Sequence, residues 1–84
     1  VNVDRRVARR IWTLADLHGG PVPGTSLPLT QQEMADLAGA ARPTVNQSLK
    51  RLEAQGAIAL YRGGVRIVDA DVLRKRAALP ASSH

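Results

Sequence analysis

Polar and apolar positions along the 84 residues divide the chain into segments of helical and of strand period. Over residues 4–18, DRRVARRIWTLADLH, the positions Val3, Val7, Ile11, Leu14, Ala15 and His18 share one arc of a wheel turning about 100° per residue. Arg5, Arg6, Arg9, Arg10 and Asp16 lie away from that arc. This predicts an amphipathic helix of about four turns, ended by Gly19 and Gly20. Trp12 sits at the edge of the arc and is expected in the core, because base-stacking surfaces use several aromatics. His18 at the helix end is read as partly buried or as a C-terminal cap. Residues 19–29, GGPVPGTSLPL, carry too much Gly and Pro for helix, and the alternation of Leu27 and Leu29 predicts an exposed loop closing in a short strand.

Residues 30–55, TQQEMADLAGAARPTVNQSLKRLEAQ, hold the sharpest local signals. Thr30 with Glu33 three residues on is a capping box, and Leu29 and Met34 are spaced for a hydrophobic staple. Gly39 ends this helix in the left-handed conformation, and a second helix begins near Arg42. There Val45, Ser48, Leu49 and Leu52 share one side, while Pro43, Asn46, Gln47, Lys50, Arg51 and Ala54 share the other. A short capped helix, a glycine turn and a helix with a polar, basic outer face describe a helix-turn-helix. The plain alternative is a helical hairpin in a small core.

Gly56 caps that helix, and in AIALYRGGVRIVD two β-rich runs, Ile58 with Leu60 and then Val65, Ile67 and Val68, flank Arg62-Gly63-Gly64 as a hairpin. Arg62 and Arg66 beside its tip either touch a DNA backbone or keep a sheet edge soluble. Asp69 or Asp71 caps a last helix, DVLRKRAAL, that Pro80 stops, and PASSH is a frayed tail. The fold class is therefore mainly α with a small β wing. A single winged helix-turn-helix domain spans residues 1–84, its helix-turn-helix at about 30–55 and its wing at about 57–68.

Composition then narrows the chemistry. Twelve Lys and Arg against seven Asp and Glu leave a net charge of +5 and a pI of about 11.1, a balance that favours a polyanion, nucleic acid before membrane. With no Cys and with His18 and His84 the only histidines, thiolate and histidine metal sites are not expected. There is no span of about 18 apolar residues and no signal-peptide order, so a soluble, cytoplasmic protein is expected. Val1 in place of Met, and arginines at the unfavourable end of the first helix, suggest a piece of a longer chain with a helix before it. The four arginines Arg5, Arg6, Arg9 and Arg10 form either a phosphate-binding or, more commonly, a solvated face. No G-x-x-x-x-G-K is present. Asp4, Asp16, Glu33, Asp36, Glu53, Asp69 and Asp71 are all accounted for by caps and helix surfaces, so no catalytic set can be nominated and no enzyme is expected.

The residues Thr30, Glu33, Ala35, Gly39, Arg42, Thr44, Val45, Leu49, Lys50, Leu52, Glu53 and Gly56 resemble the C-terminal DNA-binding domain of Crp/Fnr transcription regulators, and the likeness covers most of the chain. Departures are Ala41 where the family often has Ser, Pro43 where its best-known members have Glu, Gln47 where they often have Arg, and Ser48 where they have an aliphatic. The resemblance implies sequence-specific binding of double-stranded DNA with the second motif helix in the major groove, at Thr30, Arg42, Pro43, Thr44, Asn46, Gln47, Lys50, Arg51 and Arg62. Arg42 and Gln47 are expected at base edges, with Thr44, Lys50 and Arg62 on phosphates. It also implies a homodimeric parent with a sensor and dimerisation region outside these residues, where a cyclic nucleotide or other effector would bind. No cofactor is expected in this domain, and RNA polymerase is a further partner the resemblance admits. The competing function is a winged-helix protein-interaction module, which should expose apolar residues on the second motif helix.

Overall fold

The computed structural model describes residues 3–79. Its elements are α1 (Val3–Leu17), β1 (Ser26–Leu27), α2 (Gln31–Ala38), α3 (Arg42–Ala54), β2 (Ile58–Tyr61), β3 (Gly64–Ile67) and α4 (Ala70–Arg76). The apolar arc of α1 supplies Val7, Ala8, Ile11 and Ala15 to the centre, where they meet Met34, Ala35 and Ala38 of α2 and Val45, Leu49 and Leu52 of α3. Trp12 and Leu14 pack at the margin of this core. His18 is exposed rather than partly buried; its Nδ1 lies 2.8 Å from the Leu14 carbonyl, which leaves it the capping role.

Helix α2 begins as its cap dictates. The Glu33 amide donates to Thr30 Oγ1 at 3.1 Å, and the Thr30 amide donates to Glu33 Oε1 at 2.8 Å. The Thr30 amide first, and the Thr30 hydroxyl beside it, hold the Glu33 carboxyl below its usual range. Thr30→Ala removes one of the two and is expected to cost about 1 kcal/mol, seen as a lower urea midpoint; an unchanged midpoint would mean that the helix is set by something else. Gly39 closes α2 at φ 66°, and Arg42 opens α3.

The sheet is antiparallel in the order β1-β3-β2, with Ser26 opposite Arg66, Leu27 opposite Val65, and Tyr61 opposite Gly64. The wing turn is only Arg62-Gly63, with Gly63 at φ 85°. Gly64, expected in the turn, is instead the first residue of β3 and is buried. Its bare backbone lies where a Cβ would strike the Tyr61 phenol and the Leu27 carbonyl. Val68, expected in the second strand, is exposed beyond it, with its amide on the Ala57 carbonyl at 3.0 Å. The edge strand β2 is tied to α3 where the Leu60 amide donates to Glu53 Oε2 at 2.9 Å.

Asp69, not Asp71, caps α4, accepting from the amides of Asp71 and Val72 at 3.0 and 3.2 Å. Asp71 pairs with Arg74 at 2.9 Å instead, which lowers its pKa. The helix is shorter than expected and ends at Arg76. Ala78 takes φ 55°, its amide bonds Lys75 and the Leu79 amide bonds Arg74, so a left-handed residue stops the helix. Pro80, the tail at 80–84 and His84 lie outside the described residues. Among the described residues no helix is long and apolar enough to cross a membrane.

Candidate nucleic-acid interface

Four consecutive residues at the start of α3, Arg42 and Pro43 with Ala41 before and Thr44 after, are all exposed. Pro43 stands in the first helical turn, where its missing N–H leaves no intrahelical bond unmade. Ala41 occupies the N-cap without a side-chain acceptor, so the first amides of α3 have no side-chain cap there.

Val45, Ser48, Leu49 and Leu52 are buried as the wheel requires. On the opposite side Gln47 and Lys50 are exposed. Asn46 is half-buried, and its Oδ1 is covered without a hydrogen-bond partner. Arg51 is exposed but engaged: Nε donates to Asp4 Oδ2 at 2.7 Å and Nη2 to Asp4 Oδ1 at 2.6 Å.

Thr30, Arg42 and Arg62, more than thirty positions apart from first to last in the sequence, line one open cleft together with Gln31, Gln32 and Gly63. The start of α2, the start of α3 and the tip of the wing therefore converge. Pro43, Thr44, Gln47 and Lys50 are not part of this cleft; they continue outward along α3. The sequence reading missed Gln31 and Gln32, although their place in the first turn behind the Thr30 cap was a usable signal. It also missed Asp4, whose only local role was to suit the start of α1.

The four arginines of α1 have divided roles. Arg9 Nε donates to the Ala77 carbonyl at 2.7 Å and so holds the end of α4. Arg6 is half-buried, with Nε covered. Arg6, Arg9 and Arg10 border a second cleft with Asp36 and Leu37 at the other end of α2, apart from the Arg42 side.

A helix pair joined through Gly39, backed by α1 and followed by a two-stranded wing, defines a winged helix-turn-helix domain. The Crp-like helix-turn-helix domain matches residues 5–76, and the chain belongs to that family. It is 38% identical over 79 residues to a CRP-like cAMP-activated global transcriptional regulator of Mycobacterium tuberculosis, covering 90% of this chain and 35% of that protein. It is 40% identical over 43 residues to the nitrogen fixation regulation protein FixK of Bradyrhizobium diazoefficiens, covering 51% of this chain and 18% of that protein. Among solved structures, the catabolite activator protein of Thermus thermophilus superposes with a TM-score of 0.79 at 30% identity, over 90% of this chain and 34% of that one. The chain thus spans about a third of the length of the first of these relatives. It is a DNA-binding helix-turn-helix domain of the Crp/Fnr family of transcription regulators.

Proposed function

We propose that the domain binds double-stranded DNA sequence-specifically with α3 in the major groove. Arg42 and Gln47 read base edges, while Thr44, Lys50 and Arg62 hold phosphates. The observation that carries this reading is the convergence of Arg42, the Thr30 cap and the Arg62 wing tip around one cleft at the N-terminal end of α3. Groove-reading helices of this kind present their N-terminal residues to base edges while flanking elements meet the backbone. Thr30 and its neighbours Gln31 and Gln32 are placed for the backbone beside the first turn of α2. A protein-docking role for α3 finds no support in its outer face, where Arg42, Thr44, Gln47 and Lys50 are exposed in place of large apolar residues.

The remainder of the proposal concerns the parent protein. It is a homodimer whose two domains meet half-sites about one helical turn apart, and its activity answers to an effector bound outside residues 1–84. The named activation of the mycobacterial relative by cAMP supports a ligand-controlled regulator as the class.

Neutralising two phosphates with Lys50 and Arg62 releases condensed counterions, so log K against log salt is expected to fall with a slope of roughly −1.8. Fluorescence anisotropy of a labelled duplex across a salt series measures it. A binding constant indifferent to salt would remove the DNA reading.

A further inference from the structure

Arg51 lies on the polar side of α3, where helical spacing assigns it to the same outer face as Lys50. Its guanidinium nevertheless turns back to the first turn of α1. Both Asp4 oxygens are occupied: Oδ2 accepts from Arg51 Nε at 2.7 Å, and Oδ1 accepts from Arg51 Nη2 at 2.6 Å and from Ser48 Oγ at 2.5 Å. Arg51 Nη2 also lies 3.4 Å from Ser48 Oγ. Ser48 is fully buried, and it stands where the family resemblance puts an aliphatic residue. Asp4 is the acceptor that a hydroxyl in such a place requires. Arg51 principally, together with Ser48 and against the effect of burial, holds the Asp4 carboxyl down at about 2.

We infer that Asp4 is a positioning residue that keeps Arg51 off the DNA backbone, so that the Asp4–Ser48–Arg51 cluster stays closed in the complex and Lys50 is the phosphate-binding cation of the C-terminal half of α3. This rests on the reading of α3 as the DNA-facing helix. Moving the guanidinium onto a phosphate exchanges one charge-assisted contact for another of similar strength. It also uncovers a carboxylate beside a polyanion and weakens the cluster that satisfies Ser48. Both consequences oppose the exchange. The closed cluster also ties the first turn of α1 to the third turn of α3, fixing the tilt at which α3 is offered to the groove.

The test is duplex binding across a salt series by the wild-type domain and by Arg51→Ala, Asp4→Asn and Lys50→Ala, with urea midpoints for each. Lys50→Ala is the reference for a lost phosphate contact and should flatten the slope of log K against log salt by about 0.9. Arg51→Ala should lower the urea midpoint yet keep the wild-type slope. Asp4→Asn removes the charge that holds the guanidinium, and the freed Arg51 should steepen the slope by about 0.9. A purely structural salt bridge would move only the midpoints. An Arg51→Ala slope flattened like that of Lys50→Ala overturns the inference, as does an Asp4→Asn slope equal to wild type. If Arg51→Ala does not fold, Arg51→Met retains the aliphatic stem and carries the same expectation. Wild-type binding without salt dependence would instead sink the DNA reading itself, a result distinct from either.

Discussion

Gly64→Ala is expected to destabilise the domain by about 1–3 kcal/mol, the cost of forcing volume into a packed site, read as a lowered urea midpoint. Gly64 opens β3, lies buried and pairs with Tyr61 across the wing. A Cβ there would overlap the Tyr61 phenol and the Leu27 carbonyl. Tyr61 is 41% exposed and can swing aside. The Leu27 carbonyl cannot, because β1 is held in register on β3 and the side chain of Leu27 is embedded in the core. Relief therefore requires the wing to move from β1, which would also shift Arg62 relative to Arg42. A midpoint equal to wild type would show that the β1–β3 contact is looser than described.

Arg42→Ala is expected to abolish discrimination at one base pair while leaving the fold intact. The side chain is exposed at the first position of α3 and has no hydrogen bond or ion pair with another described residue. Its removal should therefore leave the urea midpoint near wild type. A guanidinium at the helix start grips guanine O6 and N7 together, and such a pair discriminates by about 1–3 kcal/mol, roughly 5- to 150-fold. Competition with duplexes changed one base pair at a time measures this. A uniform loss of affinity across all duplexes would place Arg42 on a phosphate instead.

The parts of the fold that were legible in the sequence are those governed by neighbours along the chain. The Thr30–Glu33 box, the Gly39 stop and the Pro43 start of α3 are each decided within about one helical turn. The buried side of α3 followed from period alone, and so did Val7, Ile11 and Ala15 of α1, since a helix must bury its apolar arc somewhere. Ala8, by contrast, is buried outside the predicted arc, and His18 on it is exposed. What stayed hidden was fixed by chain segments far apart. Nothing near Asp4 announces Ser48 and Arg51, which lie 44 and 47 residues on. Wheel arithmetic sets Arg51 beside Lys50, yet tertiary pairing turns its charge back onto Asp4 while Lys50 is exposed with no such partner among the described residues. Arg9 looked like one of four equivalent cations until the end of α4 came beside it. The pairing of β1 with β3, and with it the burial of Gly64, also depends on a partner strand nearly forty residues away.

The candidate site divides in the same way. Arg42, Thr44, Gln47 and Lys50 were readable because exposure on a helix follows from the positions that are buried. Gln31 and Gln32 entered only when the wing tip and the start of α2 closed around the same cleft. Asn46 shows the limit of the wheel, since the arc that places it outward cannot anticipate that its Oδ1 is covered.

The central claim, that α3 reads DNA through Arg42 and Gln47 with no hydrogen bond from Pro43, is tested most directly by selection from random duplexes with the domain. The pyrrolidine ring offers neither donor nor acceptor, so it cannot accept from a cytosine amino group as Glu does in the best-known family members. Gln47, one turn beyond Pro43, suits the N6 and N7 edge of adenine, whereas an arginine suits guanine. The recovered half-site should keep one invariant guanine opposite Arg42, show no hydrogen-bonded preference opposite Pro43 and favour A·T opposite Gln47. Recovery of the half-site of the best-known family members unchanged, or of no common sequence at all, would contradict the account.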